Sequence, residues 1–156
     1  MSGHLILVRP HASLLDGPVV ARYLQIVGGH RGYLFAVDPD YARHRAFRPL
    51  LALYGRLTGG HRMVPLDARS PMSMRIILRT LADGGGVVLF PQGTGIGDPE
   101  RPDCPGSEWL LRKSRCSVTE LRLFHSRFRL PSVRLGEVVC RCASTDPLQR
   151  VSAWNP

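Results

Sequence analysis

Short apolar runs alternate with segments of helical periodicity along most of this chain, and this alternation restricts the fold more than any other feature. The runs Leu5 to Val8 and Val87 to Phe90 have the length and composition of buried strands. Turns rich in glycine and proline separate such runs from the helical segments. An alternation of strands and helices is typical of α/β proteins. We therefore predict an α/β fold with a mostly parallel central sheet flanked by helices.

Three segments carry the clearest helical signals. The first spans about Leu14 to Gln25. The second follows Asp38 and Pro39, the predicted cap and first residue, and is expected to have one buried apolar stripe. That stripe comprises Phe47, Leu50, Leu51 and Tyr54. The third begins at Ser70 as the N-cap and ends before Gly84.

The other predicted elements are shorter. Strands are expected at Gly32–Val37, Met63–Leu66, Val118–Leu123 and Glu137–Cys142, a helix at Ser107–Arg115, and a surface loop at Gln92–Pro105. A length of 156 residues fits one domain. The prediction is a single domain over residues 1–156, best supported over 5–123, with residues 124–156 a weakly predicted strand and tail.

The charge balance indicates an anionic partner. The net charge is +9, from 21 basic and 12 acidic residues, and Lys113 is the only lysine. Guanidinium groups bind phosphates and carboxylates in bidentate geometry, which suits phospholipid headgroups, coenzyme A or nucleic acid. An arginine-rich composition spread over solvated faces would give the same balance. No recognition-helix or zinc pattern is present, and we expect no nucleic-acid partner.

Several classes of protein are disfavoured by simple counts. No apolar run approaches the roughly 18 residues of a membrane-spanning helix, and the N-terminus has no signal-peptide pattern. The four cysteines form no C-x-x-C pair, so reduced thiols are expected and no metal site is predicted. These observations predict a cytoplasmic protein that is soluble or peripheral to a membrane.

His11 and Asp16 lie between a predicted strand and a predicted helix. Residues five apart differ by roughly 140° in direction on a helix and point to opposite faces of a strand, so only a strand-to-helix turn brings them together. In such a turn a carboxylate holds the imidazole Nδ1–H group and leaves Nε2 to accept a proton from a hydroxyl. Alternatively, Asp16 is simply an acidic residue in the first turn of the helix, where it is favourable, and His11 is an exposed loop residue. The pattern alone does not distinguish a catalytic pair from this structural role.

The segment Val87 to Thr94, Val-Val-Leu-Phe-Pro-Gln-Gly-Thr, is a predicted strand followed by a tight turn. Open α/β sheets bind ligands at the carboxyl edge of their strands, where this turn would present backbone N–H groups and the Thr94 hydroxyl. Taken alone, the segment also fits an ordinary turn at the end of a strand.

The segment His11 to Asp16, followed later by Phe90 to Thr94, resembles the two motifs N-H-x4-D and F-P-E-G-T-R, which occur in this order in the lysophosphatidate and glycerol-phosphate acyltransferase family. The resemblance extends from about Leu5 to Leu123. Its segment Met63-Val-Pro-Leu-Asp-Ala-Arg69 is similar to the acyltransferase part of bacterial 2-acylglycerophosphoethanolamine acyltransferases. The resemblance implies a glycerol-phosphate acyltransferase-like fold. It also implies transfer of a fatty acyl group from acyl-coenzyme A or acyl-acyl carrier protein to a lysophospholipid hydroxyl, with no cofactor besides the acyl donor.

The resemblance assigns roles to six residues. His11 would be the general base that deprotonates the acceptor hydroxyl, and Asp16 would orient it. The substrate-binding residues would be Gln92, Gly93, Thr94 and Arg69. The implied partners are the acyl donor, the lysophospholipid and an anionic membrane surface, with the protein peripheral on the inner membrane face.

The chain also departs from the family pattern. Pro10, Gln92 and Gly95 replace the asparagine, glutamate and arginine of the two motifs, and Glu120 replaces a proline of a buried strand. The chain begins ten residues before His11, so the family's N-terminal membrane-seating helices are expected to be absent. A truncated or degenerate, non-catalytic module that binds lipid or acyl thioester is the alternative prediction.

Overall fold

A computed structural model describes the fold of residues 3–26, 30–39, 45–66, 71–93, 98, 100–126 and 129–139. Within these ranges the chain forms one six-stranded sheet. Its strands are β1 His4–Arg9, β2 Leu34–Val37, β3 Arg62–Pro65, β4 Gly86–Leu89, β5 Ser117–Ser126 and β6 Arg129–Val139. The strand order is β3-β2-β4-β1-β5-β6. The first five strands are parallel and β6 is antiparallel to β5, which confirms the predicted mostly parallel sheet.

Four helices of the described residues flank this sheet. They are α1 Asp16–Ile26, α2 Phe47–Leu57, α3 Pro71–Ala82 and α4 Pro105–Lys113. Helices α1 and α2 pack on one face of the sheet, where Val20 and Leu24 are buried against β1 and β4. Helices α3 and α4 cover the other face through Ile77, Leu81 and Leu110. The predicted α/β architecture is therefore confirmed.

Strand β1 lies inside the sheet because its side chains are apolar on both faces. Leu5 and Leu7 belong to the core beneath α3 and α4, whereas Ile6 and Val8 belong to the core beneath α1 and α2. A parallel strand covered by helices on both sides has this composition. Its two neighbours are β4 and β5.

The C-terminal strands are longer than the sequence predicted. Strand β5 continues to Ser126, and β6 spans Arg129–Val139, which includes a stretch where only weak signals were found. Among the described strands, β6 lies at the edge of the sheet and pairs with β5 alone. Such an edge strand has less apolar sequence than a central strand, which explains why its pattern was weak. Residues 140–156 lie outside the described residues.

Glu120, the charge that stands where the family pattern has a proline, is accommodated by two arginines. Its carboxylate lies 3.4 Å from Arg9 Nη1 and 3.7 Å from Arg122 Nε. The side chain is 21% exposed, so water also reaches it. A buried unpaired charge is thereby avoided.

Helix α2 differs from its prediction in one respect. The stripe predicted to be buried includes Leu50, whose side chain is 61% exposed, and the prediction is wrong at that position. Leu51 and Tyr54 are partly buried. These residues line an open cavity rather than a closed core, which leaves the outer part of the stripe in solvent. The stretch that follows Pro39, where this helix was expected to start, lies outside the described residues.

Candidate active site

The two sequence motifs meet at the carboxyl edge of the sheet. Strands β1 and β4 are adjacent and parallel, with Leu7 opposite Leu89. The residues that follow these strands therefore lie side by side. His11 follows β1, while Gln92 and Gly93 follow β4. The edge is the one at which open α/β sheets bind their ligands.

His11 and Asp16 are brought together by the turn between β1 and α1. Strand β1 ends at Arg9 and α1 begins at Asp16. His11 Nδ1 and Asp16 Oδ2 are 3.0 Å apart. The His11 ring also packs against Phe90, with 4.5 Å between ring centroids. The imidazole side chain is 18% exposed, so it is held firmly while still reachable by a substrate.

Asp16 accepts four hydrogen bonds although its side chain is fully buried. Its Oδ2 atom accepts one from His11 and one from each backbone N–H group of Ala12 and Ser13, both at 2.9 Å. Its Oδ1 atom accepts one from His125 at 2.8 Å. Burial alone would raise the pKa of this carboxyl group, but the two imidazoles and the two N–H groups outweigh burial and lower the pKa below its ordinary value.

The charge of Asp16 fixes the hydrogen on the His11 ring. A carboxylate can only accept hydrogen bonds, so His11 carries its proton on Nδ1 and donates it to Asp16. The Nε2 atom of neutral His11 is then left with a free lone pair. This is the arrangement that a general base requires.

His125 was missed in the sequence analysis. It lies near the end of β5 and donates from Nε2 to Asp16 Oδ1. One signal was available: Leu121, Leu123 and His125 alternate along one face of a strand, and the first two are buried. Because the strands are parallel, the end of β5 reaches the same edge as His11.

His125→Ala is expected to lower the kcat/KM of a reaction that uses His11 as its base roughly ten- to hundredfold. A hydrogen bond to a charged group is worth about 1.5–3 kcal/mol, and the variant removes one from Asp16. His125→Gln keeps an N–H donor and should retain most of the activity. Steady-state kinetics of both variants test this expectation. Equal rates for the alanine variant and the wild type would show that His125 does not help to position Asp16.

Gln92 is placed behind His11 rather than in open solvent. Its side chain is 5% exposed. Its Oε1 atom accepts a hydrogen bond from the His11 backbone N–H at 2.8 Å, and its Nε2 atom donates to the Arg101 carbonyl at 2.7 Å. Gln92 thereby links the turn after β1 to the loop after β4. An amide serves both links, since it both donates and accepts.

Gln92→Glu, which would supply the glutamate of the motif that this segment resembles, is expected to destabilise the fold by about 1–3 kcal/mol, because a carboxylate in the buried position of Gln92 cannot donate to the Arg101 carbonyl. The urea midpoint of unfolding measures this. The exchange Glu100→Gln at an exposed position is the control and should change little. A Gln92→Glu variant as stable as the wild type would mean that the Arg101 link contributes nothing.

Gly93 is required by the turn that follows Gln92. Its φ angle is +73°, in the left-handed region that favours glycine, and an added Cβ atom would lie 2.8 Å from Cys104 Sγ. Gly93 lines the same cavity as His11. Thr94 and Arg69, the other two predicted substrate-binding residues, lie outside the described residues, as does Gly95.

The loop after β4 is held to the strands by an ion pair. Arg9, the last residue of β1, pairs with Asp103, and the distance between Arg9 Nε and Asp103 Oδ1 is 3.1 Å. The backbone N–H of Cys104 donates to the Pro91 carbonyl at 2.8 Å. The Arg9 guanidinium is therefore occupied by protein carboxylates. Arg101, which belongs to the same loop, is exposed.

An apolar cavity of about 630 Å³ opens beside His11. It lies between α1, α2 and the edge of the sheet. Its lining includes Leu14, Leu15, Phe35, Leu51, Tyr54, Met63, Leu66 and Phe90. This volume is within the range of roughly 300–1,000 Å³ that small-molecule sites occupy. The site therefore combines one activated imidazole with a mostly hydrophobic space.

Comparison with known proteins gives no family: no protein family matches the chain, and no solved structure gives a significant match. Within the described ranges, no three His, Cys, Asp or Glu side chains converge into a group that could hold a metal ion. No described helix is long and apolar enough to cross a membrane.

Proposed function

We propose that this chain is a glycerolipid acyltransferase domain. It would move a fatty acyl group from acyl-coenzyme A or acyl-acyl carrier protein to the hydroxyl of a lysophospholipid. The observation that carries the proposal is the 3.0 Å contact between His11 Nδ1 and the fully buried Asp16, beside an apolar cavity. The resemblance of both motifs to the acyltransferase family supports the same reaction.

The proposed reaction needs one base and one orienting carboxylate. His11 Nε2 removes the proton from the acceptor hydroxyl as its oxygen attacks the thioester carbonyl carbon. The negatively charged Asp16 stabilises the imidazolium that forms. The tetrahedral intermediate then collapses, the C–S bond breaks, and the imidazolium returns its proton to the departing thiolate. The products are an ester and a free thiol.

The cavity supports a long acyl chain as the group transferred. Most of its lining is aliphatic or aromatic, and it begins at His11 and Gly93. An alkyl chain placed there would be removed from water at roughly 0.8 kcal/mol for each buried CH2 group. A small polar acceptor alone would gain little from such a lining.

The proposed partners are an acyl-thioester donor, a lysophospholipid and the anionic inner face of the cytoplasmic membrane. The net charge of +9 supports an anionic surface. Thr94 and Arg69 are proposed to contact the acceptor's phosphate or glycerol together with Gly93, as the family resemblance implies. No metal is required, because the nucleophile is the substrate's own hydroxyl.

The experiment is acyl transfer from labelled long-chain acyl-coenzyme A and acyl-acyl carrier protein to a panel of lysophospholipids in detergent micelles. Product formed by the wild type and lost in His11→Ala would support the proposal and identify donor and acceptor. If the folded wild-type protein forms no product with any pair, the proposal is wrong.

A binding-only module is the second candidate. The observations in its favour are Gly95 in place of the motif arginine and the inward position of Gln92, whose amide groups are bonded to the protein itself. In that case acyl-coenzyme A or lysolipid would bind without product, and His11→Ala would leave the affinity unchanged. Any acylated product would exclude this candidate.

A further inference from the structure

One face of helix α2 is apolar and lies in solvent. Leu50, Leu53 and Leu57 are 61%, 56% and 69% exposed. Their spacing places them on one side of the helix, and we call them the α2 leucine stripe. Scattered exposed leucines are ordinary on protein surfaces, whereas aligned ones mark a surface that is covered by something else.

One basic side chain flanks the α2 leucine stripe. Arg56 is exposed beside it, and the helix contains no acidic residue. At the end of the helix, Arg56 and Arg31 line a shallow cleft of about 360 Å³ next to Leu57. Two guanidinium groups at one cleft suit a phosphate-bearing headgroup, which they bind in bidentate geometry.

The stripe is continuous with the mouth of the cavity that contains His11. Leu50 belongs to both, and Leu14 and Leu15, which also line the cavity, are 49% and 46% exposed. An apolar path therefore runs from the outer face of α2 to the candidate base.

We propose that the α2 leucine stripe and the Arg31–Arg56 cleft form a docking surface for an anionic lipid layer. The leucines enter the interface and the arginines bind phosphate groups at its level, as in interfacial amphipathic helices. The inference rests on the proposed function for its lipid substrate, and it names the surface through which that substrate arrives. In this orientation the mouth of the His11 cavity faces the lipid.

The charge pattern favours lipid over two other occupants. A second copy of this chain, which also has a net charge of +9, would place like charge against Arg31 and Arg56, which is unfavourable. A nucleic acid would use the arginines but gives no reason for three exposed leucines. An anionic lipid surface accounts for both features.

The test is co-sedimentation with vesicles of phosphatidylcholine, with and without phosphatidylglycerol. The wild type is expected to bind the anionic vesicles preferentially. Leu53→Asn with Leu57→Asn should weaken binding roughly tenfold for each leucine. Arg31→Gln with Arg56→Gln should weaken it roughly fivefold for each arginine, and only on anionic vesicles. All four positions are exposed, so the variants are expected to fold.

Two controls separate this surface from the rest of the molecule. Met72→Asn with Ile76→Asn changes exposed apolar residues of α3, on the opposite face of the sheet, and should bind as the wild type does. His11→Ala should also bind normally, since docking does not need the base. Circular dichroism confirms that each variant is folded.

Each outcome separates docking from catalysis. Vesicle binding that depends on the leucines, without acyl product in any assay, supports the docking surface and contradicts the proposed function. Acyl transfer in detergent by a protein that does not bind anionic vesicles supports the proposed function and contradicts the docking surface. Binding that survives both double substitutions overturns the inference. A leucine-dependent dimer without lipid binding would show that the surface binds a second copy of the chain instead. Nucleic-acid binding without vesicle binding would show that the arginines serve a nucleic acid instead.

Discussion

His11→Ala is expected to lower the acyl-transfer rate by about 10² to 10⁴-fold, the range that a positioned general base contributes. The imidazole is the group that Asp16 orients at the mouth of the apolar cavity. In the proposed mechanism, the variant has no base to remove the proton of the acceptor hydroxyl. The effect should be in kcat more than in KM, because binding of the alkyl chain does not involve the ring.

The measurement is single-turnover and steady-state transfer of labelled acyl groups, with the protein's fold checked by circular dichroism. His30→Ala is a matched control. His30 precedes β2 and therefore lies at the opposite edge of the sheet, where Tyr33 is its hydrogen-bond partner at 3.3 Å. We expect the control to retain wild-type activity. An active His11→Ala protein would remove His11 from the mechanism.

Asp16→Asn is expected to lower the rate at least a hundredfold while preserving the shape of the side chain. In a serine-protease triad the corresponding change lowers kcat by about 10⁴. Both oxygens of Asp16 accept hydrogen bonds, whereas an asparagine replaces one of them with a donor. The new NH2 group must then face His11 or His125. The ring nitrogen that it faces can no longer carry the hydrogen, so the proton of that imidazole must move to its other nitrogen. The kinetic assay used for His11→Ala measures the loss.

The same substitution also changes how stability depends on pH. The pKa of Asp16 is lower in the folded protein than its ordinary value of 3.8, so the unfolded chain binds this proton more readily. The ionised Asp16 carboxylate therefore stabilises the folded protein above pH 3.8, and this contribution is lost as the pH falls through the pKa of the folded state. In Asp16→Asn this part of the acid sensitivity should disappear. Urea unfolding between pH 5 and pH 3 compares the two proteins, and parallel curves would contradict the proposed linkage.

The features that the sequence predicted well are local ones. Strand β1 was evident because four consecutive apolar residues supply both faces of a buried strand. Helix α3 was evident because Ile77 and Leu81 repeat with helical spacing. The contact between His11 and Asp16 was also predictable, since only the short turn that joins β1 to α1 can bring them together.

The features that were missed depend on contacts between distant parts of the chain. His125 reaches Asp16 only because β5 is a neighbour of β1, and no local pattern specifies strand order. The inward position of Gln92 depends likewise on the adjacency of β1 and β4. On α2, periodicity identified an apolar stripe but not whether protein or solvent covers it, so Leu50 was wrongly predicted to be buried.

The place of β1 in the sheet has a consequence for the order in which the protein can assemble during synthesis. Its two partners, β4 and β5, follow much later in the chain, and His4 pairs with Gly86 and Ser117. Until they emerge from the ribosome, a strand whose four central residues are all apolar has no neighbour in the sheet, and pairings between such distant segments form slowly. The nascent chain therefore carries His11 and Asp16 long before β4 and β5, the two strands that complete the surroundings of this pair, are available.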